Sequence, residues 1–175
     1  MQIRLNLFHR FGLAACAPIF LAVLAASARA ADSPAAVVKS ENVTVKVMLG
    51  SGAAAAGGRL PVVVNFSVAP GWHIYGAPLP PDFTVTRVNF DKEIVGQQSL
   101  TFPPPTPLKF AALNQTYPVY QGNFAASGAV TLKPTISAGP HELKGNVEFQ
   151  ECNDLECKMP QSLPFAIPLN VRQAR

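Results

Sequence analysis

Apolar and polar residues alternate along several short stretches of this chain with the two-residue period of half-buried β-strands. In Val43-Thr44-Val45-Lys46-Val47 the valines share one face, while Thr44 and Lys46 share the other. Val62, Val64, Phe66 and Val68 repeat the pattern against Val63, Asn65 and Ser67, until Pro70-Gly71 closes the run. Further alternation predicts strands over residues 83–88, 130–136 and 143–150, the last two divided by Gly139-Pro140. Phe165, Ile167, Leu169 and Val171 mark a final strand. Pro164 and Pro168 have the same parity in it, so both missing N–H groups point to one side, as an edge strand tolerates.

The connecting segments are less regular. Residues 32–39 read as a small, polar lead, and Gly50, Gly52, Gly57 and Gly58 crowd the run Ala53–Ala56 into a loop or hairpin connection. Pro103-Pro104-Pro105-Thr106-Pro107 cannot join a central ladder, so the stretch from Leu100 to Tyr120 is expected to run as an extended surface connection. Seven to nine short strands without an amphipathic helix predict an all-β chain, an immunoglobulin-like antiparallel β-sandwich.

Composition agrees with that class. Of 175 residues, 17 are proline and 12 glycine, and only 14% are charged, which argues against a helical bundle and against disorder. The first thirty residues stand apart. Arg4 and Arg10 precede the apolar run from Phe11 to Ala26, and Ala28-Arg29-Ala30 reads as a cleavage site, the pattern of a secretory signal peptide over residues 1–30. Leu13-Ala14-Ala15-Cys16 admits a lipoprotein signal as the competing reading. Residues 31–175 then form one domain exported to the periplasm. Without Arg4, Arg10 and Arg29 the basic residues number 11 against 10 acidic, and no Lys/Arg cluster remains to neutralise phosphates, so nucleic acid is not an expected partner.

The chemically informative segment is Phe149-Gln150-Glu151-Cys152-Asn153-Asp154-Leu155-Glu156-Cys157-Lys158-Met159-Pro160. It joins two strands, which places both sulfurs at one end of a hairpin, and in an oxidising compartment such neighbours are normally bonded. A bridge over so short a loop stabilises the fold by only about 2 kcal/mol in the chain-entropy description. Three readings stand. The pair is a passive clip, or a metal site completed by His73 or His141 for which further ligands are wanting, or a redox-active pair of the labile, exposed kind. Glu151, Asp154 and Glu156 disfavour thiolates here, while Lys158 favours one at Cys157. No hydrolase constellation, phosphate-binding loop, small-molecule site or cofactor signature accompanies the pair.

These cysteines and their flanks resemble the active-site hairpin of the amino-terminal periplasmic domain of the DsbD thiol:disulfide interchange proteins. Pro70-Gly71-Trp72-His73-Ile74-Tyr75-Gly76 resembles the aromatic segment early in that domain, and Tyr117-Pro118-Val119-Tyr120-Gln121-Gly122 the stretch after its cap loop. The resemblance implies a sandwich whose cysteine pair relays reducing equivalents between thioredoxin-fold proteins, fed by a membrane electron-transfer protein, without a cofactor. It implies that Cys157 forms the mixed disulfide and Cys152 resolves it, with Trp72, His73 and Tyr75 near the site. The family's acidic-aromatic-Gly cap motif is replaced here by Phe110-Ala111-Ala112-Leu113-Asn114-Gln115-Thr116, where Phe110 or Leu113 is the candidate lid. Neither a membrane module nor a thioredoxin-like domain occurs in these residues, so the resemblance implies that those are supplied by other proteins. The reading from a different class is a non-catalytic envelope-binding sandwich with a structural hairpin disulfide.

Overall fold

The computed structural model describes residues 33–110 and 114–174, and the predicted signal segment, including Cys16, lies outside them, as does Leu113. Among the described residues there are thirteen strands and no α-helix. The chain opens with β1 (Ala35–Lys39), β2 (Val43–Leu49), β3 (Ala53–Ala55) and β4 (Arg59–Val68). It continues through β5 (His73–Tyr75), β6 (Arg87–Phe90), β7 (Val95–Thr101), β8 (Thr106–Phe110) and β9 (Gln115–Tyr120). It closes with β10 (Asn123–Leu132), β11 (Gly139–Phe149), β12 (Glu151–Cys152) and β13 (Gln161–Arg172).

Two sheets make the sandwich. One has the order β1-β2-β4-β10-β7 and the other β3-β13-β11-β6. Their inward faces meet in a core where Val45, Val47 and Val64 of the first sheet join Leu143, Val147 and Ile167 of the second with no exposed surface. The strict alternation of β4, buried at every second residue from Leu60 to Val68, is the period read in the sequence. Burial of this alternating set, at roughly 25 cal/mol per Å² of apolar surface, is the main term holding the sheets together.

A third, smaller sheet of order β12-β5-β9-β8 covers one end, and its two faces have different work. Ile74 of β5 and Tyr120 of β9 point into the main core. Their neighbours Tyr75 and Val119 point the other way and build a second cluster with Cys152, against which Leu79, Phe83, Leu108, Phe110 and Tyr117 pack. The period of two along each short strand thus puts one residue in the sandwich and the next in the site.

Several expectations are corrected. Residues 35–39 are not a lead but β1, paired antiparallel with β2 from Ala35↔Met48 to Lys39↔Thr44. Within the Gly-rich connection Ala53–Ala55 pairs in parallel with Asn170–Arg172. The strand expected at residues 83–88 is displaced to β6, because Phe83 turns its ring onto Tyr75 and Tyr117, at centroid distances of 5.1 and 4.9 Å. The strand expected at 130–136 begins instead at Asn123 and stops at Leu132, ahead of Pro134. At Gly128 the carbonyl of Ser99 lies where a side chain would stand, so glycine is what lets β7 approach. Between Leu100 and Tyr120, residues 102–105 are coil as expected, but β8 and β9 form a hairpin, with Pro107 tolerated because β8 is a sheet edge. The edge reading of the last strand holds from Pro164 to Pro168, and β3 covers only its end.

Candidate functional site

Cys152 and Cys157 are bonded to each other. They oppose one another as an isolated antiparallel bridge, flanked by Asn153 N–H to Glu156 C=O at 2.9 Å and Lys158 N–H to Glu151 C=O at 2.8 Å. That bonding pattern defines a non-hydrogen-bonded pair, the position in an antiparallel ladder where facing side chains come closest. The Cα atoms are 4.1 Å apart. Asn153 shapes the turn between them, its Oδ1 accepting from the N–H groups of Leu155 and Glu156 at 2.8 Å each. Gln150 ties the hairpin to its surroundings, donating to the Lys158 carbonyl at 3.1 Å and accepting from the Thr84 N–H at 3.4 Å.

The two sulfurs are not equivalent. Cys152 lies on β12, next to β5 in the small sheet, and is fully buried, whereas Cys157 is exposed. The sequence separates them by neighbouring charge and, through the resemblance, by role, but not by burial. Cys157 borders a cleft of about 570 Å³, walled by Tyr75, Phe83, Phe110, Tyr117 and Leu155. Leu155, at the turn, is 94% exposed, and Met159 beyond it 82%.

The aromatic residues singled out in the sequence fall around this pair in distinct ways. The Tyr75 hydroxyl is 3.8 Å from Cys157 Sγ, and it is the donor because a disulfide sulfur has no hydrogen. Burial raises the Tyr75 pKa, with Tyr117 adding to the effect, so the hydroxyl keeps its proton. His73 is directly opposite Cys152 in the β5–β12 ladder and is buried, with no partner for Nε2. Burial lowers the His73 pKa and Asp154 partly opposes that shift, so the ring is neutral at pH 7. Phe110 stands edge-on to His73 at 5.3 Å and lines the cleft. Trp72 packs on the main core rather than in the cluster around Cys152 and lies under the Lys158 ammonium, 5.5 Å from the ring centroid.

Lys158, the neighbour of Cys157 in the chain, has carboxylate partners of its own. Its ammonium is paired with Glu156 at 3.0 Å and Glu41 at 3.6 Å, which raises its pKa, the Glu156 hydrogen bond foremost. With Asp154 also nearby, little positive charge is left to stabilise a thiolate at Cys157. Glu151 is a site element the sequence reading does not single out as structural. It is fully buried, Oε2 accepts from Asn42 Nδ2 at 2.8 Å, and Oε1 has no partner. The signal was present, since Leu143, Val147 and Phe149 are buried on the odd positions and Glu151 continues that parity. Phe83 and Tyr117 were missed as cleft walls because they lie far apart in the chain.

A β-sandwich with a bonded cysteine pair on a hairpin, one sulfur open beside an aromatic cleft, is the architecture of a thiol–disulfide interchange domain. Residues 39–167 match the family described as thiol:disulfide interchange protein DsbD, N-terminal, and the chain belongs to that family, whose fold is the immunoglobulin-like sandwich. Among solved structures it is similar to the N-terminal periplasmic domain of ScsB from Proteus mirabilis, with TM-score 0.56 and 14% identity over 80% of this chain. The shared region is 52% of that ScsB chain, so this protein spans about half of it. The N-terminal domain of Neisseria meningitidis DsbD in its reduced form aligns at 17% identity and TM-score 0.39, covering 79% of this chain and 85% of that one. No protein of curated function matches the sequence.

Proposed function

We propose that this chain is a periplasmic electron relay in which Cys157 is the attacked sulfur and Cys152 the buried leaving and resolving sulfur. Thioredoxin-fold proteins are the partners on both sides, with a membrane electron-transfer protein upstream. The observation that carries the reading is the unequal exposure of the two sulfurs, since a partner's thiolate can reach Cys157 but not Cys152. In the accepting direction the partner's thiolate bonds to Cys157 Sγ, the Cys152–Cys157 bond breaks, and the electron pair leaves on Cys152. The partner's second thiolate then attacks its own sulfur in the mixed disulfide and releases Cys157. Two electrons and, after protonation, two protons now reside on the pair, and the reverse sequence passes them on.

The acidic surroundings favour this role over that of an aggressive nucleophile. With Lys158 held by Glu156 and Glu41, the reduced pair reacts slowly with unrelated disulfides, while the oxidised pair stays open to a partner's more acidic thiol. Phe110, at the cleft wall, is positioned to limit that access.

Trapping tests the assignment. Cys152→Ser is expected to accumulate mixed disulfides through Cys157, and Cys157→Ser to accumulate almost none; the opposite pattern overturns it. A reduction potential below about −300 mV, the range of structural bonds, would support the passive clip instead.

A further inference from the structure

The small sheet sets three residues in a lateral row. Cys152 faces Cys157 on one side and His73 on the other. Directly opposed residues of an antiparallel pair project to the same face with Cβ atoms about 5 Å apart, so His73 and Cys157 flank the buried sulfur from inside and outside. Cys152 has no exposed surface, and His73 is 1% exposed. Its Nε2 is buried without a hydrogen-bond partner while the disulfide is closed. A buried nitrogen of this kind destabilises the fold if it is never satisfied.

Reduction changes the residue opposite His73 in the ladder. The bond to Cys157 opens, the Cys152 side chain is free to rotate, and its sulfur carries a proton. Burial in an apolar cluster raises a thiol pKa, so Cys152 needs a base to become a nucleophile again, and it is shut away from water. We infer that His73 Nε2 accepts the Cys152 proton as that sulfur closes on a mixed disulfide at Cys157. This rests on the reading of Cys152 as the resolving sulfur.

The step balances within the site. The Cys152 S–H proton passes to Nε2, the Cys152 sulfur bonds to Cys157 Sγ, and the Cys157–partner bond breaks with its electron pair on the partner sulfur. The imidazolium then returns its proton to the departing thiolate or to solvent. The surroundings suit a base that is neutral at rest. Tyr75 lies edge-on at 5.5 Å and Phe110 at 5.3 Å, Tyr117 packs on both of those rings, and Asp154 is the charged group that favours the protonated ring. In the neutral imidazole one ring nitrogen is an acceptor, and in this step that role falls to Nε2.

The test uses the reduced full chain carrying Cys16→Ser, so that Cys152 and Cys157 are its only thiols, and dithiobis(nitrobenzoate), which releases one coloured thiophenolate when Cys157 attacks and a second when Cys152 closes the disulfide. His73→Phe and His73→Gln are expected to slow the second release at least tenfold, within the range of general-base effects, and to change the first less than twofold. In the protein unaltered at His73 the second rate should rise through the His73 titration below pH 6.5 and level off by about pH 8. Variants whose second release stays within about twofold of the unaltered rate overturn the inference, as does a rate in the unaltered protein that climbs tenfold per pH unit through neutrality. The pH profile needs no substitution of His73, so it decides even where a variant fails to fold. Failure to release any second thiophenolate would mean that the pair cannot close, and would overturn the relay reading itself.

Discussion

Asn42, in the turn between β1 and β2, donates a 2.8 Å hydrogen bond to the buried carboxyl of Glu151, 109 residues away and one residue before the buried sulfur. Glu41 in the same turn pairs with Lys158 on the other strand of the hairpin. One turn of the first sheet therefore holds the cysteine hairpin at two points. The contacts differ in weight, because the Lys158 pair is solvent-exposed and such pairs contribute little.

Removing Asn42 is the informative change. Asn42→Ala leaves both carboxyl oxygens of Glu151 buried and unpaired, a cost of about 1–3 kcal/mol. Urea unfolding should register a loss of that size, whereas Glu41→Ala should change stability by less than about 1 kcal/mol. Equal losses would show that the surface pair anchors the hairpin as strongly as the buried contact.

The Tyr75 hydroxyl is the polar group set against the exposed sulfur, 3.8 Å from it. Burial keeps it protonated, so when the pair is reduced it donates to the Cys157 thiolate. Tyr75→Phe retains the ring that packs on Phe83 and Tyr117 and deletes the donor. A net hydrogen bond of about 1 kcal/mol corresponds to a roughly fivefold loss in the rate of alkylation of Cys157 at neutral pH. A rate unchanged by the substitution would assign Tyr75 to packing alone.

Leu155 and Met159 bracket Cys157 with exposed apolar surface, on a turn held by the Asn153 side chain. Burying such residues against a partner requires only that the partner present an apolar rim around its own cysteines. Leu155→Ser with Met159→Ser should slow exchange with a thioredoxin-fold protein by about tenfold, equivalent to about 1.4 kcal/mol, and leave reduction by dithiothreitol unchanged. Slowing of both reactions alike would point to a disturbed hairpin.

The parts of the fold legible in the sequence are those where one face is buried and the other wet. The valines of β2 and β4 and the odd positions of β11 show their burial directly. Strand β7 does not, since only its first residue is buried and the following GQQS presents no alternation to read. Strand β1 is short and half-buried, and it exists because β2 offers it a ladder. Prolines hide the β8–β9 hairpin, as they mark what an interior strand excludes rather than what an edge accepts. The cysteine hairpin was legible because its partners are local. The roles of Asn42, Phe83 and Tyr117 were not, for each depends on contacts made across the topology.

His73 also makes stability depend on pH, with a sign that follows from its surroundings. The folded state holds the ring neutral, since burial lowers its pKa below the ordinary 6.5. Between the folded value and 6.5 the unfolded chain binds more protons than the folded one, so stability rises with pH through that window. The contribution is fully present above pH 6.5 and is lost as the pH falls through 6.5 toward the folded value. Carboxylates with ordinary pKa values near 4 titrate in the unfolded chain mostly below this range. Urea midpoints measured from pH 7.5 down to 5.5 should therefore fall for the unaltered protein. His73→Phe removes the titrating group while keeping an aromatic ring against Tyr75 and Phe110, and its midpoints should be nearly flat over the same range. A slope that survives the substitution would show that another group, not His73, sets the pH dependence.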